Sequence, residues 1–539
     1  MGGHPLVAAG LSALIPGAGQ LYARRPGRAA AMFLPTILLA TGGYGFLSQG
    51  PVGMASLLVR PTFLSGLLVA NVVILIWRAI AVIDAYVITS STRNRSWMPV
   101  TLALVLLAVA VPHTIALSYG TRTISALRTV FVAAPGDIAL VPLPQIMMPA
   151  FDTVPDPATV PQPTVELPER QGNAIFRRGL GDPDAIAALG NIYSPSTPFA
   201  PFVDAKERLG NGRLTILLVG ADAGPGREGL RTDTMIVATI DHETGNAALF
   251  GLPRNLKLVP LPRNIRHAFV ELEKKVIEKD LTDADEDGYP DLWVDMDGDG
   301  IPEEPEFESC HCFPTMLNKV HQYTRNWTTS YPRARDPGLS ALKDVISYLI
   351  DLPIDFYVMV KMEGFVKVVD AIGGVDVNIK APFHVTVSSP EDGVPKASIN
   401  VEPGPNHLNG LESLAYVRWR RGSSDYNRMG RQRCLIRAVA TQTGSPKLLA
   451  AFPTLVELFE QSISTDIPLS FLPDLVKIAG SVDFSNIATV GLVPPTYSSG
   501  RTPGKYPIPN VDRIRSKVRQ VLSEGVAAQS RSGESECDL

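Results

Sequence analysis

The sequence predicts N-terminal transmembrane helices followed by an α/β domain in which helices cover the faces of a β-sheet. Three apolar stretches, each near the ~20 residues of a membrane span, lie mostly within the first 120 residues. After residue 212, short β-branched runs bounded by Gly, Asp and Pro are interspersed with helical patterns. Only 19% of the 539 residues are charged and the mean hydropathy is +0.12, so apolar residues exceed what an ordinary soluble core needs.

The overall charge excludes one class of partner. Forty-nine Lys and Arg against 53 Asp and Glu leave a net charge of −4, which provides no global attraction for nucleic acid. Any anion site must therefore be local. The four cysteines are too few for a disulfide scaffold and lack the paired spacing of a structural zinc site.

Residues 1–120 are predicted to form a membrane domain with about three transmembrane helices. The apolar stretches begin at Ala29, Phe63 and Met98, and no cleavage site follows the first, which argues against a signal peptide. Arginines precede the first span and lie between the second and third, whereas Arg60 alone lies in the first loop. This distribution predicts a cytoplasmic N-terminus, with everything after about residue 120 outside the cell.

Two further features belong to the membrane domain. Arg78 and Asp84 lie toward the predicted cytoplasmic end of the second span, where snorkelling is favoured over a functional polar pair. Residues 4–27 contain a short apolar helix broken by Pro16 and two glycines. This helix is too short to cross a bilayer and is predicted to be interfacial or re-entrant.

Residues 121–211 are predicted to be a proline-rich extracytoplasmic linker. Its prolines between residues 133 and 168 stand at positions 135, 142, 144, 149, 155, 157, 161, 163 and 168. Few charges and no sustained helical period accompany them, which is typical of an extended, semi-rigid spacer. Such a spacer would lift the following domain off the membrane.

Residues 212–527 are predicted to form one domain, followed by a disordered tail at 528–539. Predicted strands are LTILLVGA, TMIVATID, NAALFGLP, FYVMVKM, VDVNIK, LAYVRWR and a closing IATVGLV. Predicted helices are LSALKDVISYLI, EGFVKVVDAIG, a helix from Asp425 to about Thr443, PKLLAAFPTLVELFEQSI, SFLPDLVKIAG and NVDRIRSKVRQVLSEG. Mixed strands and helices imply a sheet with helices on its faces.

Charged residues collect where the predicted strands end. Asp222 follows the first strand, Arg231 and Asp233 open the second, and Arg254 closes the third. Because side chains repeat every two residues along a strand, Arg231 and Asp233 are expected to point to one side.

A second group lies further along the chain. Arg418 and Arg420 are two apart in YVRWR and are expected to share one strand face. On the following helix Asp425, Arg428 and Gln432 recur at three and four residues and form one stripe, with Arg431 at its edge.

These arginines and aspartates together predict a site for a metal-bound pyrophosphate. Guanidinium groups bind phosphate oxygens bidentately and keep their charge, and Mg²⁺ prefers one or two carboxylates plus the phosphates of its substrate. The alternative is a set of unrelated surface ion pairs.

Five segments resemble successive blocks of the LytR-CpsA-Psr family of cell-wall glycopolymer ligases. They are ILLVGAD, RTDTMIV, LFGLPRN, DFYVMVKMEGFVKVVDAIGGVDVNI and LNGLESLAYVRWRRGSSDYNRMGRQR, within residues 212–445. The resemblance implies an α/β/α sandwich with a central mixed β-sheet, tethered outside a bacterial cell membrane. It also implies a phosphotransferase of cell wall biogenesis that joins a glycopolymer from an undecaprenyl-pyrophosphate carrier to peptidoglycan by a phosphodiester.

The resemblance also implies roles for individual residues. Asp222 and Asp233 would hold Mg²⁺, and Asp425 would accept the proton of the sugar hydroxyl. The implied phosphate clamp consists of Arg231, Arg254, Arg418 and Arg420. The implied substrate-binding residues are Lys319, Arg428, Arg431 and Gln432. The chain departs from the family pattern at Asn255, which replaces an aspartate, and at Ser423, which replaces an acidic residue.

An acidic insert at about 260–315 matches a calcium-loop pattern. The expected ligands are Asp283, Asp285, Asp287, Asp291, Asp295, Asp297, Asp299 and Glu306, with glycines at the turns. With prolines at 290, 302 and 305, helices do not flank the loop comfortably, so it looks more like the tandem loops of thrombospondin type 3 repeats than an EF-hand. Structural Ca²⁺ is favoured over a merely solvated acidic loop.

Cys310-His311-Cys312 follows the insert. A disulfide between the neighbouring cysteines, or two thiols of which one pairs with Cys434, is favoured over a metal site. Two other functions stay open for the whole chain: a polyprenyl-pyrophosphate hydrolase, and a non-catalytic, calcium-stabilised envelope protein that binds glycans.

Overall fold

The computed structural model describes most of the membrane part and most of the domain. The described residues are 4–90, 98–131, 212–222, 231–262, 310–327, 334–387, 397–419, 425–442, 462–482, 487–502 and 506–525, with isolated residues 265, 269, 270, 273 and 331 between them. The predicted linker from residue 132 onward, most of the acidic insert and the tail lie outside this part of the chain.

Within the described ranges, three helices are long and apolar enough to cross a membrane, in agreement with the three predicted spans. They are α3 (Pro26–Leu47), α5 (Pro61–Thr89) and α6 (Met98–Val130). Helix α6 continues ten residues past the predicted end of the membrane domain. Three short helices accompany them: α1 (Pro5–Leu14), α2 (Ala18–Tyr22) and α4 (Gly50–Leu58).

Polar contacts attach the N-terminal helix pair to α5. Asp84 accepts hydrogen bonds from Arg28 Nη1 at 2.7 Å and from the buried Gln20 Nε2 at 3.2 Å. Arg78 donates to the backbone oxygen of Ala13, near the end of α1. Both side chains therefore help to hold α1 and α2 against α5, a structural role that the sequence did not predict.

The domain is built on a six-stranded mixed sheet, which confirms the predicted fold class. The strands are β1 (Arg213–Asp222), β2 (Arg231–Asp241), β3 (Ala247–Gly251), β6 (Phe356–Lys361), β11 (Ile463–Thr465) and β12 (Ile487–Gly491). Their order in the sheet is β11-β6-β1-β2-β3-β12. Strands β1–β2, β2–β3 and β6–β11 pair antiparallel, whereas β1–β6 and β3–β12 pair parallel.

Helices cover both faces of this sheet. On one face, Leu217 and Val237 pack against α8 (Pro337–Ile350) and α13 (Val511–Glu524). On the other face, α11 (Asp425–Gln442) and α12 (Leu472–Ser481) cover the alternate side chains. The alternation of strand side chains thus produces an α/β/α sandwich.

A second apolar cluster lies beside the sandwich. It contains α9 (Met362–Ala371), α10 (Gly410–Arg418) and two small antiparallel sheets. The strands of these sheets are β7 (Val375–Ile379) with β10 (Gly404–Leu408), and β8 (Phe383–Val387) with β9 (Ala397–Val401).

The prediction of a strand over LAYVRWR is wrong, because residues 414–418 of this segment form the second half of α10. Asn409 accepts a hydrogen bond from the backbone N–H of Glu412, and Glu412 reaches back to the N–H of Asn409. This reciprocal capping box starts a helix whose buried residues include Ser413, Leu414 and Val417. The β-propensity of Tyr, Val and Trp does not prevail over the cap and the helical spacing of buried residues.

The two ends of the acidic insert return to the same place. Strand β4 (Val259–Pro260) pairs with β5 (Cys312–Phe313), and Val259 and Phe313 are fully buried. Cys310 and Cys312 form a disulfide, one of the two favoured arrangements. The eight predicted calcium ligands lie outside the described residues. The remaining described elements are a 3₁₀ turn η1 (Leu317–Lys319), α7 (Val320–Thr324), η2 (Leu469–Phe471), β13 (Ser498–Arg501) and β14 (Pro507–Pro509).

Candidate active site

A β-bulge places Asp233 at the start of β2. Gly220 pairs with Thr234 and the next residue, Ala221, pairs with Thr232, so Asp233 has no partner across the ladder. Bulges interrupt side-chain alternation and re-aim a side chain. The alternation rule that predicts Arg231 and Asp233 on one side of the strand therefore does not apply across the bulge.

Arg231 lies at the end of the same strand pair. It is exposed and sits directly opposite Asp222 in the β1–β2 register, so the sheet brings these two predicted residues together along the backbone. The side chain of Asp222 lies outside the described part of the structure.

Arg254 joins two carboxylates from distant parts of the chain. Its Nη1 lies 2.9 Å from Asp233 Oδ1, and its Nε donates to Asp425 Oδ2 at 3.3 Å. All three side chains are about one-fifth exposed, at 22%, 21% and 23%. The loop after β3, the bulge of β2 and the start of α11 therefore meet at one partly buried guanidinium, which brings three of the predicted site residues together.

Arg428 adds a second cation to this group. Its Nη2 lies 3.1 Å from the Asp425 carboxylate one helical turn earlier, and its side chain is only 5% exposed. The predicted spacing of Asp425 and Arg428 on one helix stripe is therefore confirmed.

Asn318 completes the site and was not predicted. Its Nδ2 donates to Asp233 Oδ1 at 3.0 Å, and its backbone N–H donates to the carbonyl of Arg254 at 3.1 Å. Thr232 Oγ1 donates to the carbonyl of Asn318 at 3.2 Å. The sequence signal for Asn318 was a single amide in the otherwise mostly apolar run PTMLNKV. The predicted residue Lys319 follows Asn318 and is the last residue of η1.

The charges of the site stabilise one another. Burial alone would raise the pKa of Asp233, but the guanidinium of Arg254 and the hydrogen bonds from Arg254 and Asn318 hold this pKa below its ordinary value. Burial alone would lower the pKa of Arg254, but Asp233 and Asp425 raise it. Asp233 is therefore a stable carboxylate and Arg254 a stable cation.

Arg431 and Gln432 fasten α10 to α11. Arg431 donates from Nε to the carbonyl of Tyr416 at 3.0 Å and from Nη2 to the carbonyl of Trp419, and it lies over the Trp419 ring at 5.1 Å. Gln432 Nε2 lies 3.5 Å from the carbonyl of Val417. Burial lowers the pKa of Arg431 and raises the pKa of Tyr416. The substrate-binding role of Arg431 and Gln432 stays a prediction, in addition to their structural role between α10 and α11.

The predicted pairing of Arg418 and Arg420 on a strand face is wrong. Arg418 is the exposed last residue of helix α10, so strand alternation does not relate the two side chains. Arg420 lies outside the described residues.

Arg433 was also missed by sequence reasoning. It is 1% exposed and lies against Gly251 at the end of β3 and Gly491 at the end of β12. A side chain at either glycine would collide with its guanidinium. The sequence signal was the arginine-rich run GRQR, in which Arg433 follows the predicted stripe directly.

The arrangement suits an anionic, phosphorylated ligand. Two cations and two carboxylates meet at the ends of β2, β3 and α11, and each guanidinium can exchange a carboxylate partner for phosphate oxygens. Among the described residues no three His, Cys, Asp or Glu side chains form a metal-binding group.

Residues 291–505 match the LytR_cpsA_psr family model. The chain is 28% identical over 189 residues to the polyisoprenyl-teichoic acid–peptidoglycan teichoic acid transferase TagV of Bacillus subtilis, covering 35% of this chain and 47% of that protein. It is 32% identical over 140 residues to the transferase TagU of Halalkalibacterium halodurans, covering 26% and 43%. The matched segments thus span less than half of these relatives.

Two solved structures also show a partial likeness to the chain. The crystal structure of B. subtilis TagV is 20% identical with a TM-score of 0.37 and covers 58% of this chain and 98% of that chain. TagT bound to LIIa-WTA is 17% identical with a TM-score of 0.36, covering 60% and 94%.

Proposed function

The chain carries a domain of the LytR-CpsA-Psr family, and on this premise we propose that it is an extracytoplasmic phosphotransferase. It would take a glycopolymer from a polyprenyl-pyrophosphate carrier, such as undecaprenyl pyrophosphate, and join it to peptidoglycan by a phosphodiester. The names of the relatives support polyisoprenyl-linked teichoic acid and peptidoglycan as the classes of donor and acceptor. The observation that carries the proposal is Arg254 bound between Asp233 and Asp425.

The arginines would supply most of the catalysis. Phosphoryl transfer needs little covalent help from a protein, because neutralised phosphate oxygens and an aligned nucleophile supply most of the rate. Arg254 and Arg428 are held in place by carboxylates and stay charged, so they are organised before the substrate arrives. The departing lipid monophosphate would bind the same guanidinium groups.

Asp425 is the proposed acceptor of the proton from the sugar hydroxyl. Its carboxylate also contacts both Arg254 and Arg428, so it orients the two cations. A Mg²⁺ ion would be held by Asp222 and Asp233, which lie near the open end of one strand pair. This donor set fits Mg²⁺, which takes one or two carboxylates together with substrate phosphates. When bound, the ion would neutralise charge on the pyrophosphate.

The test compares R254A with R519A in the purified full-length chain. Arg519 is an exposed cation on α13, 63% accessible and paired with Asp351, so it serves as a matched control. The assay supplies a polyprenyl-pyrophosphate glycan, Mg²⁺ and peptidoglycan. We expect R254A to lose transfer by about 10²-fold or more and R519A to retain it.

The same assay separates the alternatives. Release of glycan phosphate to water that outruns transfer to peptidoglycan would favour a polyprenyl-pyrophosphate hydrolase. Glycan binding with no turnover in the unaltered chain would favour the non-catalytic envelope protein.

A further inference from the structure

The domain rests directly on the membrane helices. Helix α4, in the connection between α3 and α5, packs against α12 of the domain. We call the apolar cluster that joins the ends of α4, α5 and α6 to η2 and α12 the seat. Its buried residues come from both parts of the chain and are Val59, Leu64, Leu127, Leu469 and Leu472, each no more than 8% exposed.

Phe131 continues the seat into the domain. It follows the last residue of α6 and packs both on the seat and on the cluster of Leu214 and Phe356, which belong to β1 and β6 of the central sheet. Leu475 of α12 also belongs to both clusters. Apolar packing is therefore continuous from the membrane helices to the sheet.

A polar contact supports the seat. Arg335 donates to the backbone oxygens of Thr129, at 2.8 Å, and of Val130. The last carbonyls of a helix have no partner within the helix, and a cation there also complements the helix dipole. A domain residue thus caps the end of α6.

Two separate segments of the membrane part reach the domain from the same side. Helix α4 lies between the first and second spans, and Val130 ends the third span. Under the orientation that the arginines predict, both positions lie outside the cell. The expectation that the proline-rich spacer lifts the domain off the membrane is at odds with this direct contact.

We propose that the seat is a positioning device, which holds the Arg254 site at a set height and angle over the bilayer for a lipid-borne pyrophosphate. This rests on the proposed function. A domain held to the membrane by its chain connection alone would be free to move over tens of ångströms. Fixing its position keeps the site within reach of a headgroup confined to the membrane plane, where a misplacement of about 1 Å already costs rate.

The docking is tested by cross-linking the full-length chain in membranes. A Cβ at Gly480 would lie 3.3 Å from the Cβ of Val52, close to the ~3.5–4.5 Å of natural disulfides. The V52C/G480C variant should therefore form an intrachain disulfide under mild oxidation about tenfold or more faster than V52C/R519C, whose second cysteine lies on α13. Equal rates for the two pairs would overturn the seat.

The positioning role needs a second measurement. G480W would insert a large ring where Val52 already sits, whereas G480A adds one methyl group, 2.7 and 2.8 Å from the γ-carbons of Val52, which a small shift of the helix or of that side chain relieves. We expect G480W to lower kcat/KM about tenfold for a long-chain lipid donor in vesicles and to leave kcat/KM unchanged for a short-chain, water-soluble pyrophosphate donor. G480A should retain most activity toward both donors.

The outcomes separate the two proposals. Equal losses of G480W toward both donors, or no loss toward either, would overturn positioning by the seat. Failure of the seat leaves the effect of R254A on transfer intact. Rapid V52C/G480C cross-linking in a chain with no transfer activity would instead reject the proposed function and, with it, the positioning role.

Discussion

At the scale of single residues, the site depends on how Asp233 is held. Arg254 and Asn318 both donate to the same carboxylate oxygen of Asp233. The bulge leaves Asp233 without a partner in the β1–β2 ladder. The clustering of Asp233, Arg254 and Asp425 was predictable, because charged residues at strand and helix ends are visible in the sequence. The bulge and Asn318 were not, because both depend on which residues pair across the sheet.

The Asp233–Arg254 pair predicts a pH dependence of stability. Since the pKa of Asp233 is lowered on folding, the pair stabilises the fold above the ordinary Asp pKa of about 3.9 and loses this contribution as pH falls through the lowered value. The Tm difference between the unaltered chain and D233N should be constant near neutrality and disappear in acid. Thermal melting from pH 7 to pH 2 measures it, and a difference that persists in acid would contradict the ion pair.

Asn318 predicts a loss of both stability and activity. N318A removes a donor from Asp233 and should lower the free energy of unfolding by about 1–3 kcal/mol, since the amide is 5% exposed. Transfer should also fall, because Asp233 loses one of its two fixed contacts. N378A, at an exposed position of β7, is the control for melting and transfer assays. Equal behaviour of the two variants would remove Asn318 from the site.

At the scale of elements, the strands were easier to predict than α10. Strands β1, β2, β6 and β12 are runs that contain several β-branched residues, and β3 is a short apolar run, so local pattern and tertiary structure agree. In α10 they conflict. The segment AYVRW has high β-propensity, whereas Asn409, Glu412 and Leu414 specify a helix start and a buried helical face.

The capping box of α10 gives a direct prediction. N409A should lower the free energy of unfolding by about 0.5–2 kcal/mol, because the N–H of Glu412 loses its acceptor. N409D keeps an acceptor oxygen and should remain close to the unaltered chain. Melting curves of the two variants compare them directly; a strand over this segment would make them equivalent.

At the scale of the whole molecule, hydropathy located the three spans but not their relation to the domain. Helix α4 has nine residues and is too short to be a span. Its contact with α12, more than 400 residues later, has no signal in the local sequence of either helix. Likewise, the closure of the insert by β4 and β5 joins residues 259–260 to 312–313 and has no local signature.

The acidic insert stays a prediction with its own test. Because β4 and β5 connect its ends to the buried core, ordering of the insert by Ca²⁺ should stabilise the whole domain. Chelation should lower the Tm by several degrees in the unaltered chain. The D297N/D299N variant should show no response. An unchanged melting curve on chelation in the unaltered chain would remove the calcium proposal.

Arg433 has a consequence for how this domain can diverge. Its guanidinium occupies the space that any side chain at Gly251 or Gly491 would need, so a mutation at either glycine meets a steric barrier while the arginine remains. A shorter residue at 433 would open that space. Across distant members of such a lineage, a side chain at position 251 or 491 should therefore be accompanied by a residue smaller than arginine at position 433.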